Sequence, residues 1–213
     1  MFNSLKFKVI LFGFIFTFFS SFGQSYFLGL FNSSIREALS ITHGQFGSIY
    51  ASATLCSSLL LIWVGKKIDD VNIFKFAFFV TVLLSFACFF FSRITSVFLL
   101  FVAIFLMRFS GQGMMSHTAS TTISRYFTRT RGKALSISWF GLSSAEFIMP
   151  VLMVYLLTII DWQNLWLIFS ITVLIVLPIA SFLLIKNLNL DSREANDENI
   201  KEVEIKQWKR IEV

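Results

Sequence analysis

Residues 73–91 read IFKFAFFVTVLLSFACFFF, which is apolar throughout except for Lys75 and a few small polar residues. An α-helix rises about 1.5 Å per residue, so a stretch of this length crosses a hydrocarbon core of roughly 30 Å. Segments of similar character lie on both sides of it along the chain. The sequence therefore predicts an all-α membrane protein, whose six transmembrane helices are 9–31, 45–64, 73–91, 97–123, 134–160 and 165–185.

The composition independently favours a membrane protein. Hydrophobic residues make up 56% of the chain, charged residues 14%, and the mean hydropathy is +0.76. A soluble fold of this composition would expose too much apolar surface. Cys56 and Cys88 lie inside predicted spans, and the sequence shows no disulfide framework, metal-ligand cluster or nucleophile triad. A phosphate-binding Gly-Lys-Ser loop is also absent from the sequence, so we predict neither an enzyme nor a cofactor.

The basic residues indicate which side of the membrane each connection faces. The excess behind the net charge of +6 lies before the first span and in the second and fourth connections. The positive-inside rule places these connections, and both termini, in the cytoplasm. We expect a plasma membrane, the inner membrane of a bacterium, with the lipid bilayer as a partner and no nucleic acid. The basic residues concerned are Lys6, Lys8, Lys66, Lys67, Lys75, Arg125, Arg129, Arg131 and Lys133.

The six predicted spans form two sets of three with nearly the same spacing. Corresponding spans of the two sets begin 88, 89 and 92 residues apart. The first set starts in the cytoplasm and the second outside, so the sets are inverted repeats, an arrangement typical of secondary transporters. Gly23-Gln24 in the first span and Gly111-Gln112 in the fourth also lie 88 residues apart. This short match falls in the first helix of each repeat.

Two charged side chains are predicted to lie deep in the membrane. Arg108 is about 16 Å from the outer end of the fourth span, and Glu146 is about 21 Å from the outer side in the fifth. An unpaired charge at this depth costs roughly 2.5 to 3.5 kcal/mol on insertion scales, so each should face protein or water. Arg108 could bind an anionic substrate group or modulate a proton-carrying Glu146. The alternative is a static ion pair that holds two helices together.

The remaining polarity divides the spans into two groups. Spans three and six are almost wholly apolar and should face lipid, whereas the other four carry the polar residues of an inner wall. Gln112 follows Arg108 by one helical turn and is a candidate cavity residue, with an interhelical hydrogen bond as the alternative. The same two interpretations apply to Gln24. Gly141 and Ala145 are spaced for close helix packing.

The connection after the second span carries a recognisable motif. Residues 65–72 read GKKIDDVN and resemble the loop signature of the major facilitator superfamily, in which an aspartate follows a glycine by four residues. Gly65 and Asp69 match these positions. Asp70 and Asn72 stand where the family usually has Arg and Gly.

This resemblance implies a gating role for the connection. Asp69 would help lock an inward-facing gate through basic groups and helix ends. Gly65, Lys75 and Arg131 join it as candidate gating residues. The alternative is a solvated loop that only sets the topology.

Two further motifs extend the resemblance. Residues 108–113, RFSGQG, are similar to the family's fourth-helix motif. Residues 125–134 resemble the basic fourth connection of its monocarboxylate-transporter-like and oxalate/formate-antiporter-like branches, and Asp161-Trp162 resembles the outer turn before the sixth helix there. The resemblance covers nearly all of residues 1–186, which we predict to be a six-helix transmembrane domain.

The resemblance also implies that this chain is half of a carrier. The family fold has twelve spans in two six-helix halves, and residues 187–213 have the charged composition of a cytoplasmic linker or tail. We therefore expect an amino-terminal half that works with a missing carboxy-terminal half or with a second copy.

The implied activity is secondary active or facilitative transport of a small organic solute by alternating access. Arg108 favours a carboxylate as that solute. Two alternatives stay open at this point: a six-span membrane scaffold or assembly subunit without transport activity, and a half-size unit that transports only as a homodimer.

Overall fold

The computed structural model describes residues 4–186, except for the side chains of Ser4 and Asp69. These residues form helices with short connections and contain no strand. Six helical stretches are long and apolar enough to span a membrane, which confirms the predicted class. We number them as spans 1 to 6: Leu5–Gly29, His43–Ile68, Ile73–Phe91, Val97–Tyr126, Arg131–Leu156 and Trp162–Ile185. The predicted linker or tail at 187–213 lies outside the described residues.

Side-chain caps fix where three of the spans begin. Thr42 and Gln45 form a capping box at the start of span 2, each side chain bonding the other residue's backbone N–H. Asn72 and Ser96 accept hydrogen bonds from the first free N–H groups of spans 3 and 4. The short helix Asn32–Leu39 lies between spans 1 and 2. Span 2 is α-helical over His43–Val64, and its end overlaps the short helix Lys67–Asp70.

Spans 1 and 4 both depart from α-helical geometry, at the positions of the Gly-Gln match. Span 1 is α-helical over Ser4–Ser20 and forms a 3₁₀ turn at Ser21–Gly23. It then becomes extended at Gln24, with φ −80° and ψ 153°, before the short helix Ser25–Gly29. Span 4 consists of Val97–Met107, a π-helix at Arg108–Met115, and Ser116–Tyr126. The first helix of each repeat is therefore irregular at its Gly-Gln dipeptide.

The two irregular segments touch each other through glycines. A Cβ added to Gly23 would collide with the backbone of Met107 and Gln112. A Cβ added to Gly111 would lie 2.7 Å from the Gly23 nitrogen and 2.8 Å from its Cα. The backbones of spans 1 and 4 are thus in direct contact, and any side chain at these positions would push them apart.

Spans 3 and 6 meet through an equally reciprocal contact. The Ser85 hydroxyl donates to the Ser170 carbonyl over 2.9 Å, and the Ser170 hydroxyl donates to the Ser85 carbonyl over 2.8 Å. Contacts in which residue i meets j as j meets i are the mark of a two-fold relation. The glycine pair and the serine pair together are what an inverted pair of three-helix repeats should produce.

The repeats are also interlocked, because the first span of each packs against the second span of the other. Span 1 lies against span 5, where a Cβ on Gly141 would collide with Phe14 and Thr17. The Thr17 hydroxyl donates to the Ser138 carbonyl over 2.6 Å at the same crossing. Span 4 lies against span 2, where Gly113 faces Leu61. The close packing predicted for Gly141 is confirmed.

The spans differ in how far this chain covers them. Buried residues make up 11% of the most apolar stretch of span 2 and 22% of that of span 5, against 39% to 50% in the other four spans. Spans 3 and 6 pack on each other and expose apolar side chains outward, including Phe78, Phe79 and Ile175. Spans 1 and 4 form the centre, while spans 2 and 5 flank them with a largely uncovered surface.

Candidate functional site

A cavity of about 220 Å³ opens between spans 2 and 4. Arg108 and Gln112 lie one turn apart on the π-helical segment of span 4 and both line the cavity. The full lining is Ser57, Ser58, Leu61, Arg108, Gln112 and Gly113.

The guanidinium of Arg108 is anchored on the irregular segment of span 1. Its Nη1 atom donates to the Gly23 carbonyl over 3.0 Å and to the Ser25 hydroxyl over 3.3 Å. Gly23 ends the 3₁₀ turn just before the extended residue, where regular helical hydrogen bonding is interrupted. Arg108 therefore satisfies a carbonyl that the irregular backbone leaves available inside the membrane.

Tyr50 of span 2 completes this arrangement. The Arg108 guanidinium carbon lies 5.4 Å from the centre of the Tyr50 ring, within cation–π range. The Tyr50 hydroxyl is 2.8 Å from the Ser25 Oγ atom and donates to it. We call Arg108, Ser25 and Tyr50 the arginine cluster; it joins spans 4, 1 and 2.

The arginine cluster leaves part of the guanidinium unpaired. A guanidinium has five N–H groups, and the two on Nη1 serve Gly23 and Ser25. The Nε atom of Arg108 is buried without a hydrogen-bond partner in the described chain. Among the side chains that the structure describes, no carboxylate forms an ion pair with Arg108. Arg108 thus borders the cavity as a positive charge, while its Nε atom is enclosed by the protein.

Glu146 is not among the residues that line the cavity. Its side chain is exposed on span 5, beside Phe147, which is 83% exposed. Among the side chains that the structure describes, Arg108 and Glu146 form no ion pair: Arg108 turns toward span 1 and Tyr50, and Glu146 is exposed on span 5. Tyr26 of span 1 lies close enough to Glu146 for the two side chains to interact electrostatically.

The two glutamines also occupy different positions. Gln112 is half-buried in the cavity wall, and its side chain makes no hydrogen bond to any residue the structure describes. Gln24 is half-buried at the extended residue of span 1 and does not line the cavity. Of the four substrate or coupling candidates, the cavity therefore brings together Arg108 and Gln112 only.

The connection after span 2 is held against span 4. A ring nitrogen of His117 lies 2.9 Å from the carbonyl of Gly65, which is buried. The Arg125 guanidinium donates to the Ile68 carbonyl over 3.0 Å. Both contacts join residues of the 65–72 motif to the C-terminal part of span 4.

The other gating candidates are less closely placed. Lys75 is exposed at the start of span 3. Arg131 donates to the Phe127 carbonyl over 3.3 Å, a local bond at the start of span 5. The side chain of Asp69 lies outside the described part of the chain.

Comparison with known families adds a finding that covers most of the chain. The family model described as Major Facilitator Superfamily matches residues 13–211. The chain belongs to the major facilitator superfamily. Members of this superfamily move small solutes across membranes, so this chain is an integral membrane protein of a transport family. A search of curated proteins found no match to it.

Sequence reasoning missed several residues of this facilitator site. Ser25 and Tyr50 contact Arg108 from other spans, and His117 contacts the gating motif. A tyrosine among the small residues of span 2, and a histidine in an otherwise uncharged stretch of span 4, were the available signals. Neither signal identifies the residue that the side chain contacts, because that depends on where the spans cross.

Proposed function

We propose that this facilitator chain is the amino-terminal half of a carrier that moves a small organic carboxylate by alternating access. The observation that carries the proposal is Arg108: a guanidinium with unused donors and no acidic partner within the described residues, in the wall of a small cavity. Gln112, Ser57 and Ser58 add neutral polar groups to the same wall.

The chemistry of the cavity favours a carboxylate over a neutral solute. Arginine binds carboxylates through two parallel N–H···O bonds, and such charge-assisted bonds are about twice as strong as neutral ones. A membrane interior strengthens this attraction because its dielectric screening is weak. The serine hydroxyls and the Gln112 amide could bind a second polar group of the solute.

The proposal of a second six-helix unit is based on the uncovered surface of spans 2 and 5. Glu146 is exposed on this surface, and an ionised acid facing lipid at mid-membrane is costly. Apolar residues around it, such as Phe140 and Val151, are also exposed. We propose that a carboxy-terminal half covers this surface, closes the cavity and gives Glu146 a polar environment. A second copy of the chain is the alternative occupant.

The connection after span 2 is proposed as the cytoplasmic gate. Its anchoring to span 4 through His117 and Arg125 would let a movement of span 4 reach the gate. Asp69 would act there with Gly65, Lys75 and Arg131. In this orientation both termini are cytoplasmic, and the proposed location is a bacterial inner membrane.

Uptake of labelled carboxylates into proteoliposomes tests the proposed function. The full-length gene product is reconstituted and offered lactate, pyruvate and oxalate, with glycerol as a neutral comparison. Arg108→Gln should lower carboxylate uptake by about tenfold or more, since a charged hydrogen bond is lost. Uptake by Arg108→Lys should lie between that of the unchanged carrier and that of Arg108→Gln, because lysine keeps the charge but lacks the planar guanidinium.

Arg93→Gln provides the matched control. Arg93 is exposed in the connection between spans 3 and 4, where its guanidinium lies over Phe89, and it should be replaceable without loss. Carboxylate uptake by Arg108→Gln at the unchanged rate would show that the anion does not bind at this arginine, and the proposal would be abandoned.

A further inference from the structure

We infer that the π-helical segment of span 4, Arg108–Met115, is a register switch through which a solute in the cavity moves the connection after span 2. A register switch is a helical segment that can exchange π-helical for α-helical hydrogen bonding and so turn the helix that follows it. The inference rests on the proposed function, because only a carrier that alternates between two conformations would use such a switch.

The first step is the hydrogen bonding of the segment. An α-helix pairs backbone groups four residues apart and a π-helix pairs them five apart, so one π-helical turn holds about one residue more. The segment joins two α-helices, Val97–Met107 and Ser116–Tyr126. If it became α-helical, Ser116–Tyr126 would turn by about 100° and advance by about 1.5 Å relative to Val97–Met107.

The second step is that the backbone of the segment can change partners at low cost inside the membrane. At its start, the Ser110 hydroxyl donates to the Leu106 carbonyl over 2.7 Å. At its end, the Thr118 hydroxyl donates to the Met114 carbonyl, also over 2.7 Å. Hydroxyls satisfy carbonyls where regular helical bonding is interrupted. Carbonyls at both ends thus have a side-chain donor, which lowers the cost of exchanging backbone partners.

The third step concerns the residue that contacts Gly65. A His117 ring nitrogen lies 2.9 Å from the Gly65 carbonyl. If a one-residue bulge is removed while Val97–Met107 stays in place, each later residue takes the place of its C-terminal neighbour. Ser116 would then occupy the place of His117. The Ser116 hydroxyl is buried and has no hydrogen-bond partner among the described residues, so the α-helical register would bring an unused donor to the Gly65 carbonyl.

The exchange of His117 for Ser116 would move the connection after span 2. A serine side chain is shorter than a histidine, so the Gly65 carbonyl must approach span 4 to bond Ser116, or lose its bond. The two spans can slide at this point because Gly113, one turn before His117, has no side chain facing Leu61; a Cβ there would lie 3.0 Å from Leu61 Cδ2. The position of the proposed gate therefore depends on the register of span 4.

The solute acts on the segment itself. Span 4 contributes Arg108, Gln112 and Gly113 to the cavity wall, and all three belong to the segment. Arg108 also anchors the segment on span 1 by donating to the Gly23 carbonyl. An anion in the cavity would compete with that carbonyl for the Arg108 charge and weaken the anchor that holds the π-helical register. A solute that binds one register more tightly shifts the population toward it.

Cysteine labelling of the reconstituted full-length carrier, in a background without other cysteines, tests the switch. Ala119 is buried and Thr121 half-buried; in the α-helical register they would take the places of half-buried Ser120 and buried Thr122. Lactate, pyruvate or oxalate should therefore speed the reaction of Ala119→Cys with a water-soluble maleimide and slow that of Thr121→Cys. Labelling rates follow the populations of the two registers, so we expect changes of about twofold or more.

Two controls accompany the labelling. Thr122→Cys would move from its own buried place to that of Ile123, which is also buried, and should stay unreactive throughout. Glycerol, the neutral comparison solute, should change none of the labelling rates.

Ser116→Ala provides an independent test. Its melting temperature should not fall, because the hydroxyl that is lost has no partner among the described residues. Its maximal rate of carboxylate uptake should fall about three- to tenfold, the range expected when one hydrogen bond formed during the cycle is lost. Ser136→Ala is the control and should keep the full rate, since the Ser136 hydroxyl bonds the Gly132 carbonyl of its own helix.

The outcomes separate this inference from the proposed function. Suppose that Arg108→Gln abolishes uptake, but the labelling of Ala119→Cys and Thr121→Cys changes in the same direction or not at all; the inference would be overturned and the function would stand. A full uptake rate or a lower melting temperature in Ser116→Ala would also overturn it. If Ala119→Cys does not fold, as judged by gel filtration, slower labelling of Thr121→Cys decides. Full carboxylate uptake by Arg108→Gln would instead remove the proposed function itself.

Discussion

Arg108 is held by a carbonyl and a hydroxyl of span 1, and by the Tyr50 ring, instead of by an acid. This matters because an ion pair would neutralise the charge that would bind the proposed carboxylate. Neutral acceptors orient the guanidinium and leave its charge in place. An arginine in such a setting is costly to keep in a membrane, which is the physical reason to expect that it serves a function.

The placement of Arg108 and Gln112 could be foreseen, whereas that of their partners could not. Residues four apart on a helix share a face, and the cavity contains both. The pairing of Arg108 with Ser25 and Tyr50 depends on an irregular segment in span 1, and no sequence periodicity fixes where two helices cross. Similar depth made an ion pair of Arg108 with Glu146 possible, but none forms among the described side chains, because depth does not define the direction in which a side chain points.

Glu146→Gln tests whether Glu146 carries a proton during transport. Glutamine has nearly the same shape but cannot be protonated, so carboxylate uptake by the variant should no longer vary with external pH. The measurement is initial uptake into proteoliposomes over a range of external pH. Asp161→Asn is the control, because Asp161 is an exposed acid that directly precedes span 6. A pH profile that is the same in Glu146→Gln and the unchanged carrier would exclude the proton role.

At the scale of the elements, the Gly-Gln match acquires a structural explanation. In the sequence, it is two dipeptides 88 residues apart. In the structure, Gly23 and Gly111 are the contact point of spans 1 and 4, each beside a segment that is not α-helical. The polar Gly-Gln positions did not by themselves predict a 3₁₀ turn or a π-helix, since the hydrogen-bond register of a helix also depends on the neighbour it contacts.

The Gly23–Gly111 crossing predicts a clear stability difference between glycines. Gly23→Ala places a methyl group against backbone atoms of Met107 and Gln112, and overpacking of this kind costs about 1 to 3 kcal/mol. The variant should therefore unfold at a lower temperature in detergent. In Gly47→Ala of span 2 the methyl group meets nothing within 4 Å, so its stability should be unchanged or slightly higher. Equal melting temperatures for the two variants would contradict the close contact of spans 1 and 4.

At the scale of the whole molecule, the charge pattern and span spacing were sufficient to predict two inverted repeats. The reciprocal Ser85–Ser170 bonds and the family match agree with that architecture. The sequence could not predict which surfaces this chain leaves uncovered. Spans 2 and 5 have mean hydropathies of 1.6 and 1.5, against 2.3 and 2.8 for spans 3 and 6, and the exposed Glu146 also distinguishes their surface from one that faces lipid.

Crosslinking can identify what covers the surface of spans 2 and 5. Cys56 is an exposed native cysteine on span 2, and Phe147→Cys introduces a second one on span 5; Cys88→Ser removes the buried one. If two copies met around a two-fold axis along the membrane normal, span 2 of one copy would face span 5 of the other, and a short bifunctional maleimide would give covalent dimers. We expect a carboxy-terminal half there instead, so the full-length gene product should stay monomeric on a denaturing gel. Covalent dimers that require both cysteines would establish the second copy as the occupant and overturn the two-half architecture.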